Sequence, residues 1–123
     1  MPKKILITED SPTVAAIIKS SLTDAGYSVI VAEDGKTALD LVKKEKPDLI
    51  VMDLMLPKLD GYKVCAMLKF DRNFANIPII ILTARSADAD KAMGEEVHAD
   101  AYITKPFEPQ VLLLKIKELL EKE

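Results

Sequence analysis

The sequence predicts a doubly wound α/β domain, five parallel strands covered on both faces by five helices, and three observations carry that expectation. Short β-branched runs alternate five times with stretches of helical periodicity. Two of the runs, Leu49 to Pro57 with its one carboxylate Asp53, and Ile79 to Thr83, are apolar at almost every position, as strands buried on both faces are. The punctuation between them is also that of α/β units, with Ser11-Pro12 and Asp34-Gly35 opening helices and Gly26 and Pro47 closing them.

Taken in order, Lys4-Ile5-Leu6-Ile7-Thr8 is a first strand that ends at Glu9-Asp10-Ser11-Pro12. Ser11 suits an N-cap and Pro12 the first helical position. Val14, Ile17, Ile18, Leu22 and Ala25 recur at helical spacing and are expected inward, and Gly26 is expected to stop the helix. Residues 27–32 make the second strand, and Ala38, Leu39, Leu41 and Val42 the inner stripe of the second helix. The third strand starts at Leu49. After Pro57 to Gly61, Tyr62, Val64, Cys65, Met67 and Leu68 mark a third helix, and Phe70 to Asn76 reads as a polar connector. Pro78 precedes the fourth strand, and Ala84 to Val97 reads as a fourth helix whose apolar stripe is weak. Ala101 to Thr104 is the fifth strand, stopped by Lys105-Pro106. Pro109 to Glu121 closes the chain as a helix with Leu112, Leu113, Ile116, Leu119 and Leu120 inward. Five such units with right-handed crossovers suit the flavodoxin-like strand order 2-1-3-4-5, which places the switch point between the first and third strands.

Composition narrows the function. With 123 residues, 49% hydrophobic and 30% charged, the chain is a globular unit of one domain, residues 1–123, without linker or repeat. A net charge of −3 argues against non-specific nucleic-acid binding. The single Cys65 excludes an internal disulfide, and no segment has the length of a signal peptide or a membrane span, so a cytoplasmic location and no membrane partner are expected.

The residue around which the chemistry gathers is Asp53, a carboxylate at the end of an apolar strand. A strongly hydrated group is tolerated there only if it faces a cleft, a cation or hydrogen-bond donors. Under the expected strand order Glu9, Asp10 and Asp53 meet at one crevice, where open α/β sheets bind ligands. Three converging carboxylates repel one another unless a cation joins them, and hard oxygen donors with open positions suit Mg²⁺. Such a carboxylate can act as a nucleophile toward phosphorus. The ends of the fourth and fifth strands would bring a hydroxyl, Thr83, and a cation, Lys105, to the same rim, where charge on a transferred phosphoryl group has to be neutralised.

The runs Thr8-Glu9-Asp10-Ser11, Met52-Asp53-Leu54-Met55-Leu56-Pro57 with Asp60-Gly61, Leu82-Thr83-Ala84 and Tyr102-Ile103-Thr104-Lys105-Pro106-Phe107 stand in an order and spacing that is specific as a set. Through them the chain resembles the receiver domains of two-component response regulators over essentially its whole length, in the manner of a single-domain chemotaxis regulator. The resemblance implies that Asp53 accepts phosphate from a phosphohistidine on a histidine kinase or phosphotransfer protein. It implies direct Mg²⁺ ligation by Asp10, Asp53 and the Met55 backbone carbonyl, with Glu9 acting through water. Thr83 and Lys105 would hold the phosphoryl oxygens, and the Lys105-Pro106 bond would be cis. Movement of Thr83 would let Tyr102 turn inward and remodel the face of the fourth helix, fifth strand and fifth helix, on which a target protein docks; a monomer or a weak phosphorylation-dependent dimer is expected. Met55 and Arg85 occupy positions that vary in the family and tune hydrolysis, and their bulk is expected to lengthen the phosphate lifetime beyond that of the fast chemotaxis type. His98 stands where the family usually has glycine.

Each residue also has a plainer reading. Asp53 alone would more often be a turn or cap, Glu9-Asp10 could simply face the positive end of the first helix, and Thr83 could be a strand former. Lys105 could be a solvated lysine, Tyr102 fixed packing, and Cys65 inert core. Three rival functions follow from the same features. A haloacid-dehalogenase-type phosphatase typically has a second acid two residues after its nucleophile, where this chain has Met55. A flavin module wants a glycine- and hydroxyl-rich loop after the first strand, where this chain has acids. A receiver with only a structural role would not require the set of Glu9, Asp10, Asp53, Thr83 and Lys105. No output domain is expected, which implies a switch that works by docking and not a turnover enzyme.

Overall fold

The computed structural model describes residues 2–53, 61–83, 99–104 and 107–121, apart from the side chains of Tyr62 and Thr83. Five strands, β1 (Lys4–Thr8), β2 (Ser28–Ala32), β3 (Leu49–Asp53), β4 (Ile79–Thr83) and β5 (Ala101–Thr104), form one parallel sheet in the order β2-β1-β3-β4-β5. This is the doubly wound, flavodoxin-like order expected from the sequence. Four helices lie among the described residues: α1 (Pro12–Asp24), α2 (Gly35–Glu45), α3 (Gly61–Lys69) and α4 (Pro109–Glu121). The helix expected over 84–97 lies outside the described residues. None of the described helices is long and apolar enough to cross a membrane.

Alternation along the strands sorts the core into two layers. Leu6, Ile50, Met52, Ile79 and Ile81 pack with Ala38, Leu39 and Val42 of α2 and Val64, Cys65 and Leu68 of α3. On the opposite face Ile5, Ile7, Leu49, Val51, Ile80 and Leu82 pack with Ile18 and Leu22 of α1 and Leu112 and Ile116 of α4. β1, β3 and β4 are therefore apolar on both sides because both sides are covered, and Cys65 is core as expected.

Local chemistry sets the helix ends. Ser11 Oγ accepts the Val14 N–H at 3.3 Å with Pro12 in the first turn, and Asp34 Oδ1 accepts the Thr37 N–H at 2.8 Å. At the end of α1 the Gly26 N–H reaches the Thr23 carbonyl and the Tyr27 N–H reaches the Leu22 carbonyl, a paired C-terminal motif that requires the positive φ of 98° at Gly26. At the end of α2 the left-handed residue is Lys46, with φ 46° and ψ 65°, where a side chain costs energy that glycine does not.

Four expectations need correction. Ile17 is 53% exposed and Met67 54% exposed. Each is displaced by about 100° from the inward line of its helix, which runs through Ile18 and Leu22 in α1 and through Val64 and Leu68 in α3. Ala25 is exposed because it is the C-cap, already turned out of α1. The connector after α3 is not purely polar: Asp71 accepts the Asn73 N–H through Oδ1 and the Phe74 and Ala75 N–H groups through its carbonyl, and the turn so formed drives Phe74 into the α2–α3 layer.

The sheet edges away from the acid cluster are tied by charge. Lys69 Nζ pairs with Asp100 Oδ2 at 2.9 Å and donates to the Ala75 and Ile77 carbonyls, and the same Asp100 oxygen accepts the Ile79 N–H at 2.8 Å. Lys4 Nζ reaches Glu45 Oε1 at 2.9 Å and holds that carboxyl below its ordinary value. A carboxyl lowered in this way stabilises the fold above its unfolded-state value, and the contribution is lost as acidification protonates it.

Lys46→Gly is expected to stabilise the protein by about 0.5 kcal/mol, the left-handed cost of about 1–2 kcal/mol less glycine's extra chain entropy of about 0.5–1 kcal/mol. Urea unfolding measures it, and a lower midpoint at unchanged slope would contradict the strain. Phe74→Ala is expected to cost about 3–5 kcal/mol in the same measurement, as for other buried aromatic residues; a loss under 1 kcal/mol would show that the connector is not part of the core.

Candidate functional site

The site grows from the ends of two neighbouring strands. β1 and β3 pair in parallel with Thr8 opposite Met52, so the residues that follow, Glu9 and Asp53, emerge side by side at the carboxyl edge of the sheet. The order of strands reverses between β1 and β3, and that is where an α/β sheet opens a crevice. The Glu9 N–H donates to the Ala32 carbonyl at 3.0 Å, fixing the exit of β1 against β2 as well.

Glu9, Asp10 and Asp53 each offer a carboxylate oxygen to this crevice, and these oxygens all lie within 4.8 Å of one another. Glu9 and Asp53 are each only 2% exposed, whereas Asp10 faces solvent. Like charges about 4 Å apart cost roughly 4 kcal/mol per pair at an effective dielectric near 20, so the cluster has a strong demand for positive charge. Local donors meet part of it. The Ser11 N–H donates to Glu9 Oε2 at 3.3 Å, and the amino end of α1 directly follows the acidic pair. Two buried hard-oxygen donors and one exposed donor leave coordination positions open to water or a phosphoryl oxygen, a donor set that fits Mg²⁺ and suits no soft metal.

Asp53 is held by its backbone. Its N–H donates to Thr8 Oγ1 at 3.1 Å, and the Thr8 hydroxyl lies 3.0 Å from the Val51 carbonyl and 3.2 Å from Met52 Sδ. Thr8 is fully buried. In the sequence Thr8 is a strand end and the first residue of the Thr8-Glu9-Asp10-Ser11 run; nothing in the pattern of residue types distinguishes a threonine that packs from one that bridges two strands.

The other expected participants are placed unequally. Asp53 pairs with Leu82 of β4, and the next residue, Thr83, ends β4 opposite Thr104 of β5, so the backbone of Thr83 stands on the strand beside Asp53 at the same edge. Tyr102 is half-buried against the α2–α3 layer, and Ile103 packs on the opposite side. Met55, Arg85, His98, Lys105 and Pro106 lie outside the described residues, and with them the expected carbonyl ligand, the ammonium and the cis bond.

Comparison with known proteins agrees with this arrangement. Residues 5–117 match the family model described as the response regulator receiver domain. The chain is 43% identical over 122 residues to the alkaline phosphatase synthesis transcriptional regulatory protein PhoP of Bacillus subtilis (strain 168), covering 99% of this chain and 50% of that protein. It thus spans about half the length of the curated relatives it matches. Among solved structures, the signal receiver domain of a signal transduction histidine kinase from Syntrophus aciditrophicus superposes with a TM-score of 0.90 at 38% identity, covering 98% of this chain and 95% of that one. The receiver domain of sensor histidine kinase PA1611 from Pseudomonas aeruginosa PAO1, solved with a magnesium ion coordinated in its active-site cleft, superposes with a TM-score of 0.91 at 30% identity over 99% of this chain and 100% of that one. With the strand order, the acid cluster at the switch point and a family match over nearly its full length, the chain belongs to the response regulator receiver domain family.

Proposed function

We propose that Asp53 is the phosphoacceptor of a signalling switch, taking its phosphoryl group from a phosphohistidine on a histidine kinase or phosphotransfer protein. The observation that carries this reading is the convergence of Asp53 with Glu9 and Asp10 at the carboxyl ends of β1 and β3, in a chain of the receiver family. A carboxylate oxygen of Asp53 attacks phosphorus in line; the new O–P bond forms as the N–P bond to the donor imidazole breaks and the imidazole nitrogen is reprotonated. Asp53 is only 2% exposed, so little water reaches the attacking oxygen.

Asp10, Asp53 and the Met55 carbonyl are the proposed direct ligands of Mg²⁺, with Glu9 acting through water. When bound, the ion supplies positive charge against the acids and the equatorial oxygens of the transferred group. The Thr83 hydroxyl and the Lys105 ammonium are proposed to bind those oxygens from the β4 and β5 ends, and Met55 and Arg85 to slow attack by water on the acyl phosphate. Contacts to the phosphoryl group would favour one of two conformations, with Tyr102 reporting the change to the face of the 84–97 segment, β5 and α4. The unit is then a switch and not a turnover enzyme.

Residues 1–123 are proposed to act as one receiver unit, a monomer or a weak phosphorylation-dependent dimer. The expectation of no direct nucleic-acid partner is confined to this unit, whose net charge is −3. The name of the PhoP relative points instead to gene control as the output that such a unit serves in a longer protein.

Incubation with acetyl phosphate and Mg²⁺ followed by intact mass is expected to give one phosphoryl adduct per chain that is absent in Asp53→Asn; an adduct that persists in the variant, or steady release of phosphate from many esters, would overturn the reading. In metal-free buffer Asp53→Asn is expected to be more stable than the wild type by about 1–2 kcal/mol, because one charge of the repelling set is gone. Added Mg²⁺ should raise the melting temperature of the wild type and leave that of the variant nearly unchanged, and an equal rise in both would contradict a metal site at these acids.

A further inference from the structure

We propose that Thr8 is the positioning residue for Asp53, a role that rests on Asp53 being the phosphoacceptor. Within β1, Ile5, Leu6 and Ile7 are fully buried aliphatic side chains, and Thr8 follows them at the same zero exposure. Valine has the same shape and would fill that space without a polar atom to satisfy, so the hydroxyl calls for a cause. Its bonds supply one. Thr8 Oγ1 accepts the Asp53 N–H at 3.1 Å and donates to the Val51 carbonyl at 3.0 Å, spanning the backbone on both sides of Met52. Met52 Sδ, at 3.2 Å, is a much weaker acceptor and competes poorly for the single hydroxyl proton.

The bridge lies at the last pair of the β1–β3 ladder. Thr8 is the last residue of β1 and is paired with Met52, and the chain beyond it turns into the Glu9-Asp10 exit. Asp53 is the last residue of β3, one position past that final pair. The side chain of Thr8 therefore adds a hydrogen bond from β1 to the residue just past the final pair, and that residue is Asp53. Since Thr8 is covalently joined to Glu9, the hydroxyl sets the distance between the carboxylate on β3 and the acidic pair that follows β1. A loss of this bond removes one tie between the two strand ends and gives the end of β3 more freedom to move relative to those acids. Small displacements of a reacting group are costly in rate, because attack requires near-contact distance and alignment.

Four forms of the full chain test this: wild type, Thr8→Val, which removes the hydroxyl and keeps the shape, Thr8→Ser, which keeps the hydroxyl, and Asp53→Asn. Amide hydrogen exchange of residue 53, followed by NMR without metal, is expected to show protection in the wild type and in Thr8→Ser and at least tenfold faster exchange in Thr8→Val. With acetyl phosphate, Thr8→Val is expected to phosphorylate about tenfold more slowly and to need several-fold more Mg²⁺ for half its maximal rate, with both values recovered in Thr8→Ser. A wild-type rate and Mg²⁺ dependence in Thr8→Val, or a Thr8→Ser protein as impaired as Thr8→Val, would overturn the inference. Should Thr8→Val not fold, Thr8→Ala serves in its place with the same expected direction. An adduct that forms equally in Asp53→Asn would overturn the phosphoacceptor reading itself, and the exchange measurement would still report whether Thr8 holds the amide of Asp53.

Discussion

Three carboxylates forced within 4.8 Å of one another by the ends of two adjacent strands are the constraint to which the rest of this molecule answers. Left alone, such a cluster would push β1 and β3 apart at their carboxyl ends. The sheet resists because both strands are buried on two faces from Ile5 and Leu49 onward, between the α2–α3 layer and the α1–α4 layer, and because each is hydrogen-bonded on both edges. Apolar burial at about 25 cal/mol per Å² over these layers is a large part of what holds like charges in place without a metal. The core and the site are in this sense one design, in which a rigid two-layer packing stores an electrostatic demand at its rim.

That demand gives the site its chemical direction. An acid cluster with one exposed member can be relieved by a hard cation, and relief by a cation makes a neighbouring carboxylate available to an electrophile that carries its own negative charge. The positive end of α1 and the Ser11 N–H offset Glu9 from one side, which leaves the open side of the crevice toward Asp10 and solvent. A strand end is suited to this work because its backbone is fixed by the ladder behind it while its side chain projects into a loop-lined cleft.

Most of this architecture was legible in the residues. Strand alternation with helices, the doubly apolar runs at Leu49 and Ile79, and the caps at Ser11, Asp34 and Gly26 are local signals, and local signals survive folding when packing agrees with them. The meeting of Glu9 and Asp10 with Asp53 was also readable, since a five-unit parallel sheet in the 2-1-3-4-5 order sets those strand ends side by side. What escaped depends on geometry finer than residue type. Ile17 and Met67 look inward in a helical pattern but lie one position off the buried line, and Phe74 sits in a polar connector whose turn folds it back into the core. Lys46 gives no sign of a left-handed backbone, because only glycine or asparagine advertises one. Thr8 is the clearest case: a hydroxyl that joins two strands and a methyl that fills space are the same letter in a sequence.

The two core layers also suggest how an event at the rim could be felt elsewhere. β5 divides its side chains between them, with Tyr102 against the α2–α3 layer and Ile103 against the α1–α4 layer, and its last residue is paired with Thr83 at the end of β4. A shift at the strand ends therefore has a short path to both layers, through elements that pack in discrete arrangements. The most direct test of the central claim is a crystal structure grown with Mg²⁺ and beryllofluoride. Beryllium bonded to a carboxylate oxygen of Asp53, beside a magnesium ion shared with Asp10, is the predicted result; an Asp53 side chain that is bare, or turned away from Glu9 and Asp10, would contradict it.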